Sequence, residues 1–107
     1  MDSKKALELW LDEIGEQMYS YDFSGKKIKK DDYNIKNQVG WVVTYIKPIE
    51  LGGKKNKDNV IIMHHRTHEE KGLNYPKFII DHTSYICRYD EEEDFHYIEE
   101  ILDEDDD

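Results

Sequence analysis

A single cysteine, Cys87, stands among 107 residues. That scarcity removes a disulfide framework and a cysteine-built zinc cluster together, and Cys87 itself reads as a buried strand residue. Long apolar runs are also missing: nothing approaches the roughly 18 residues that a membrane-spanning helix needs. The opening MDSKKALELW carries charge with no continuing apolar segment, so no signal peptide is expected. A cytoplasmic location follows by default. There are no internal repeats and no flexible interdomain linker. The last stretch, 90–107, contains no lysine or arginine.

What is present describes a polar, single-domain chain with a thin core. Hydrophobic and charged residues each make up 37%, and a chain of this length buries only roughly 60–70% of its unfolded surface. The formal net charge of −10 conceals an asymmetry. Residues 26–77 hold 12 Lys/Arg against 6 Asp/Glu, whereas residues 90–107 hold 12 acidic residues. A basic middle is joined to an acidic end.

Periodicity divides the chain further. Leu7, Leu11, Ile14 and Met18, widened by Trp10, predict an amphipathic helix over 4–19 with Ser3 as N-cap. DFSGKKIKKDDYNIKNQ reads as a loop with a short extended piece around Ile28. VGWVVTYI is β-branched and aromatic, a strand that Pro48 ends. ELGGKKNKDN is a turn-rich connection, VIIM a second strand, and HHRTHEEKG a short helix closed by Gly72. KFIIDHTSYICRY predicts two strands about a DHTS turn. In the final segment Phe95, Ile98, Ile101 and Leu102 recur at helical spacing within the acid run.

The order of these pieces, carried by DFSGKKIKK, GWVVTYIKPIELGG, DNVIIM and HRTHEEKG, resembles the HNH endonucleases and their ββα-metal fold. Pro48, Gly52, Gly53, Asn59, His68 and Lys71 fall at family-like intervals, and the likeness covers residues 22–72, about half of the chain. The expected fold is therefore α+β: a small HNH-like ββα-metal domain with an N-terminal helix, an extra C-terminal hairpin and an acidic C-terminal helix or tail. The expected boundaries are 1–89 for the HNH-like domain, with its ββα core at about 40–72, and 90–107 for the acidic end.

The resemblance implies roles residue by residue. An Asp-His pair ends the first strand in the family, the His activating water and the Asp helping to hold a divalent metal. Here that pair falls on Thr44 and Tyr45. Asn59 matches the central Asn that orients the loop or the base, and His68 matches the metal ligand on the helix. Members with paired cysteines around the loop also hold a structural zinc, and this chain has no such cysteines. Losing a positioned base lowers a rate by about 10²–10⁴. Thr44 offers a hydroxyl where a hard cation prefers an anionic oxygen, and losing the metal removes several kcal/mol of charge stabilisation. A phenol with a pKa near 10 is no ready base, although phenols do serve as nucleophiles.

Three functions are thus expected in turn. The first is an inactive or strongly impaired HNH-like domain that binds nucleic acid or a nucleic-acid-handling protein. The second is an active endonuclease with a rearranged site using Tyr45, Asn59 and His68, with His64 or His82 in support and Mg, Mn, Ni or Zn at His68. His64 and His68, four residues apart, would share a face of the helix as ligands, with His65 beside them. The third is an acidic inhibitor or immunity-type protein that meets a basic partner through 90–107. For the first, Lys26, Lys27, Lys29, Lys30, Lys54, Lys55 and Lys57 would contact DNA or RNA phosphates. Tyr45 would be available to stack on a base and Trp41 would serve the core. No membrane partner is expected.

Overall fold

The computed structural model describes residues 2–102. The chain is α+β, with two α-helices and antiparallel sheets among the described residues. Contacts gather it into two units, one of residues 2–44 with 61–69 and one of residues 45–60 with 70–102.

The first unit opens with α1 (Ser3–Glu13). Asp2, not Ser3, is the N-cap: its Oδ1 accepts from the Lys5 amide at 2.8 Å, satisfying one of the donors a helix start leaves bare. The helix stops at Ile14 because Gly15 takes φ +111°. Residues beyond Gly15 do not continue it, and Tyr19–Tyr21 form β1 instead, paired antiparallel with β2 (Lys27–Lys29). The buried face is Ala6, Leu9 and Trp10, while Leu7, Leu11 and Met18 are exposed. Relative to the stripe read from sequence, the helix is turned by about one residue, or ~100°. Trp10 sets that turn. Its ring packs on Trp41, centroids 5.0 Å apart, and small Ala6 lets the two come together.

Around this pair the core adds Ile28, with Ile14, Tyr33, Val43 and Ile62 at its margin. Both indoles are fully buried and both are satisfied. Trp10 Nε1 donates to the Gln17 carbonyl at 3.2 Å, and Trp41 Nε1 to the Lys29 carbonyl at 2.8 Å. Aromatic pairs of this geometry add about 0.5–1.5 kcal/mol beyond their buried area. Trp41 begins β3 (Trp41–Tyr45), which pairs with β4 (Val60–His64). Just before it, Gly40 is obligatory: a Cβ there would lie 1.5 Å from the Ile35 carbonyl oxygen. The Gly40 carbonyl in turn accepts from His65, the first residue of α2 (His65–Lys71).

The second unit is built on a three-stranded antiparallel sheet ordered β5 (Lys77–Ile80), β6 (Thr83–Asp90) and β7 (Phe95–Glu100). Asp81 and His82, both at positive φ, make the tight turn between β5 and β6. Phe78 stacks on its cross-strand partner Tyr85 at 5.5 Å, and Cys87 is buried in β6 as expected.

The segment 95–100 corrects the helical reading of the acidic end. Phe95, Ile98 and Leu102 fit a 3–4 spacing, yet Phe95 to Glu100 pair residue by residue with Asp90 back to Tyr85. Asp90 and Asp94 close the turn: the Asp90 carboxylate accepts from the Glu92 and Glu93 amides, and Asp94 takes φ +54°. Partner strand and turn chemistry override the local period. The remainder of the acidic end, 103–107, lies outside the described residues. No helix among those described is long and apolar enough to cross a membrane.

Candidate functional site

The hairpin joining β1 to β2 is organised by one carboxylate. Asp22 Oδ1 accepts from the Ser24 amide at 3.0 Å, the Ser24 hydroxyl at 2.7 Å and the Lys26 amide at 3.0 Å. Its Oδ2 accepts from the His64 amide at 3.0 Å and the Thr67 hydroxyl at 2.7 Å. A turn residue thus ties the hairpin to the end of β4 and the start of α2. Asp22 is only 7% exposed. Burial alone would raise its carboxyl; the bonds from Thr67, His64, Ser24 and Lys26 outweigh that and hold it below the ordinary Asp value.

The hairpin's outer face is built from tyrosines and lysines. Tyr19 faces Lys29 and Tyr21 faces Lys27 across the ladder, so the alternation of a strand puts all four side chains on one side. Lys27 Nζ stands 4.6 Å and Lys29 Nζ 5.8 Å from the Tyr19 ring centroid. Tyr19, Tyr21 and Lys27 are exposed, and Ile28 points the other way into the core. Lys26 and Lys30 flank this face and are half-buried. The tyrosines escape a sequence reading because they follow the apolar stripe of α1. The alternation Y-S-Y ahead of D-x-S-G, a hairpin turn signal, is what could have found them.

The histidines divide sharply. His64 ends β4 and does not lie on the helix, so the shared helical face with His68 is not formed. The Arg66 amide donates to His64 Nδ1 at 3.0 Å, which leaves Nε2 as donor to the Gln38 carbonyl at 2.9 Å. Both ring nitrogens are therefore engaged in a residue 2% exposed. His65 stacks on it at 4.5 Å and donates from Nε2 to the Asn37 carbonyl, with its buried Nδ1 lacking a partner. His68 is exposed on α2, and His82 is exposed in the β5–β6 turn of the second unit. Among the described residues, no group of three or more His, Cys, Asp or Glu side chains is arranged to hold a metal.

Asn59 anchors the Pro48 loop of the second unit. Its Oδ1 accepts from the Lys47 amide at 2.8 Å, while Nδ2 donates to the Lys47 carbonyl at 3.0 Å and the Lys54 carbonyl at 2.9 Å. The Asn59 main-chain carbonyl accepts from Ile46. Asn59 is 1% exposed and is thereby brought beside the chain that leaves Tyr45. Gly52 and Gly53 complete the loop for different reasons. Gly52 takes φ +96°, whereas a Cβ on Gly53 would meet the Lys47 carbonyl oxygen at 1.9 Å. Thr44 and Tyr45, at the end of β3, are half-buried. Lys54, Lys55 and Lys57 are exposed on the loop.

Beside this loop a cleft of about 270 Å³ opens against β6 and β7. Lys47, Lys54, Tyr75, Tyr89, Asp94 and His96 contribute to its lining. Tyr89 and His96 are cross-strand partners with centroids 4.9 Å apart, and the Tyr89 hydroxyl donates to Asp94 at 2.6 Å. Lys47 Nζ lies 5.7 Å from the Tyr75 ring centroid. Burial and then the Lys47 charge push the His96 imidazole below its ordinary value, against smaller opposing effects of the Asp58 main chain and Asp94.

Lys71, family-spaced in the sequence, is buried. Its ammonium lies 3.4 Å from the Asn74 carbonyl and 5.3 Å from the Phe78 ring centroid. Burial lowers its pKa, opposed by nearby Cys87, and raises that of the Cys87 thiol, opposed by Lys71.

No protein-family model matches the sequence, and no curated protein or solved structure matches it significantly.

Proposed function

We propose that the chain is a degenerate HNH-like domain, with its ββα scaffold at residues 40–72, that binds nucleic acid and does not cut it. The observation that carries the binding is the β1–β2 face, where two tyrosines and two lysines share one side of the hairpin, exposed but for half-buried Lys29. Lysines meet phosphates and tyrosines stack on bases. Two further features support the scaffold. Asn59 orients the Pro48 loop through three side-chain bonds. The Asp22 carboxylate ties the hairpin to the end of β4 and the start of α2. Loss of cutting rests on Thr44 and Tyr45, which supply neither the anion nor the imidazole of the family's strand end.

Binding is tested by fluorescence anisotropy with a labelled DNA duplex and a labelled single strand across a salt series. Lys27→Ala with Lys29→Ala weakens both and flattens the duplex salt slope by about 1.8, two lost phosphate contacts. An unchanged slope rejects the hairpin as the contact face. Cutting is tested by plasmid nicking with Mg²⁺, Mn²⁺, Ni²⁺ and Zn²⁺. Robust cleavage abolished by His68→Ala would end the binding-only reading and revive a rearranged nuclease. The double change Thr44→Asp with Tyr45→His gains Mn²⁺ binding in calorimetry; a folded double variant that binds none means that the strand end is misaligned with the family's.

A further inference from the structure

The cleft of the second unit is not explained by a phosphate-tracking surface. It combines two ammonium groups, three flat rings and carboxylate acceptors in one concavity. We propose that it holds a single unpaired nucleotide, the base against Tyr75, Tyr89 and His96 and the phosphate on Lys47 and Lys54.

Four features argue for this occupant. Size comes first: about 270 Å³ falls just below the roughly 300–1,000 Å³ of drug-sized pockets, room for one ring system and not for a base pair. Two of the rings have partners before a ligand arrives: Tyr89 bonds Asp94 at 2.6 Å, and its ring meets that of its ladder partner His96 at 4.9 Å. Bases stack on such rings whatever their sequence.

The lysines are equally prepared. Asn59 clamps the main chain of both Lys47 and Lys54, so the two cations leave the loop from fixed points. Asn59 acts here as a positioning residue. Finally, burial and then the Lys47 charge lower the His96 pKa, which leaves a neutral ring to stack on a base and the cationic role to the lysines. The carboxylates lining the cleft offer acceptors to the amino groups of a base or to sugar hydroxyls.

This inference extends the nucleic-acid reading to a class of substrate, single strands, and is separable from it. The probes are a fluorescein-labelled 12-nucleotide oligo(dT) and a duplex of the same length. Tyr89→Ala weakens the single strand by about tenfold and the duplex by less than twofold, while Tyr89→Phe keeps most of the affinity. Lys54→Ala, at an exposed position, weakens the single strand with its fold untouched. On titration with oligo(dT), the amide signals of Gly52, Gly53 and Asn56 shift. Full single-strand affinity in both Tyr89→Ala and Lys54→Ala overturns the cleft and leaves the hairpin reading standing. Loss at Tyr89 with no effect of Lys27→Ala and Lys29→Ala overturns the hairpin reading instead. A wild-type chain that binds neither probe sinks both.

Discussion

Each unit is fastened by one short, buried polar side chain, and the two differ in charge. Asp22 gathers five hydrogen bonds in the first unit. Asn59 gathers three in the second. A carboxylate only accepts, so Asp22 serves places where main-chain amides and hydroxyls converge. A carboxamide both accepts and donates, so Asn59 also satisfies the carbonyls of Lys47 and Lys54. Irregular chain needs such partners because buried main-chain groups left unpaired are costly. The charge also makes the Asp22 fastening itself sensitive to acid.

Asp22→Ala carries the largest expected effect. It leaves the Thr67 hydroxyl and the His64 amide without their acceptor, and bonds to charged groups are worth about 1.5–3 kcal/mol each. Allowing for non-additivity, unfolding in urea should show a loss of about 4 kcal/mol. Asn59→Ala removes neutral bonds of about 1 kcal/mol each and leaves two carbonyls to find water, so the loss is about 2–3 kcal/mol. If Asn59→Ala costs as much as Asp22→Ala, charge assistance is not what separates the two fastenings.

Acid separates them differently. The folded-state pKa of Asp22 is depressed below its ordinary 3.8. The unfolded chain therefore binds the proton first, and stability rises with pH across that window. The Asp22 contribution is complete above the unfolded value and fades as pH falls through the folded one. Asp22→Asn lowers stability at neutral pH by about 2 kcal/mol and flattens the limb below pH ~4. Unfolding midpoints from pH 5 to pH 2 for both proteins measure it. An acid limb as steep in Asp22→Asn as in the wild type would assign the acid sensitivity elsewhere.

The sequence made some of this legible. Trp41–Tyr45, the Val60–Met63 part of β4 and the β5–β6 hairpin follow from β-branched runs broken by Pro, Gly and Asp-His. Asn59 was readable as a loop-orienting residue only through the likeness to the HNH endonucleases. Three features were not. The stripe Leu7, Leu11, Ile14, Met18 continues past Gly15, and only a left-handed backbone there ends the helix. Phe95, Ile98 and Leu102 fit a helix, and only pairing with β6, a non-local interaction, makes that segment a strand. The role of Asp22 was hidden for a related reason. Its local bonds to Ser24 and Lys26 are those of an ordinary turn, whereas its partners His64 and Thr67 lie more than forty residues away.

Asp90 isolates that last point. It has the local half of the Asp22 arrangement and none of the distant half: its Oδ1 accepts from the Glu92 amide at 3.0 Å and the Glu93 amide at 3.1 Å in an exposed turn. Water competes for those amides and replaces the carboxylate when it is removed. Asp90→Ala should therefore cost about 0.5 kcal/mol, near the range of surface substitutions, measured by the same urea titration. The gap between Asp22→Ala and Asp90→Ala is then the worth of burial together with the bonds to β4 and α2. A cost at Asp90 close to that at Asp22 would mean that turn closure, not the fastening of hairpin to helix, is what the buried carboxylate does.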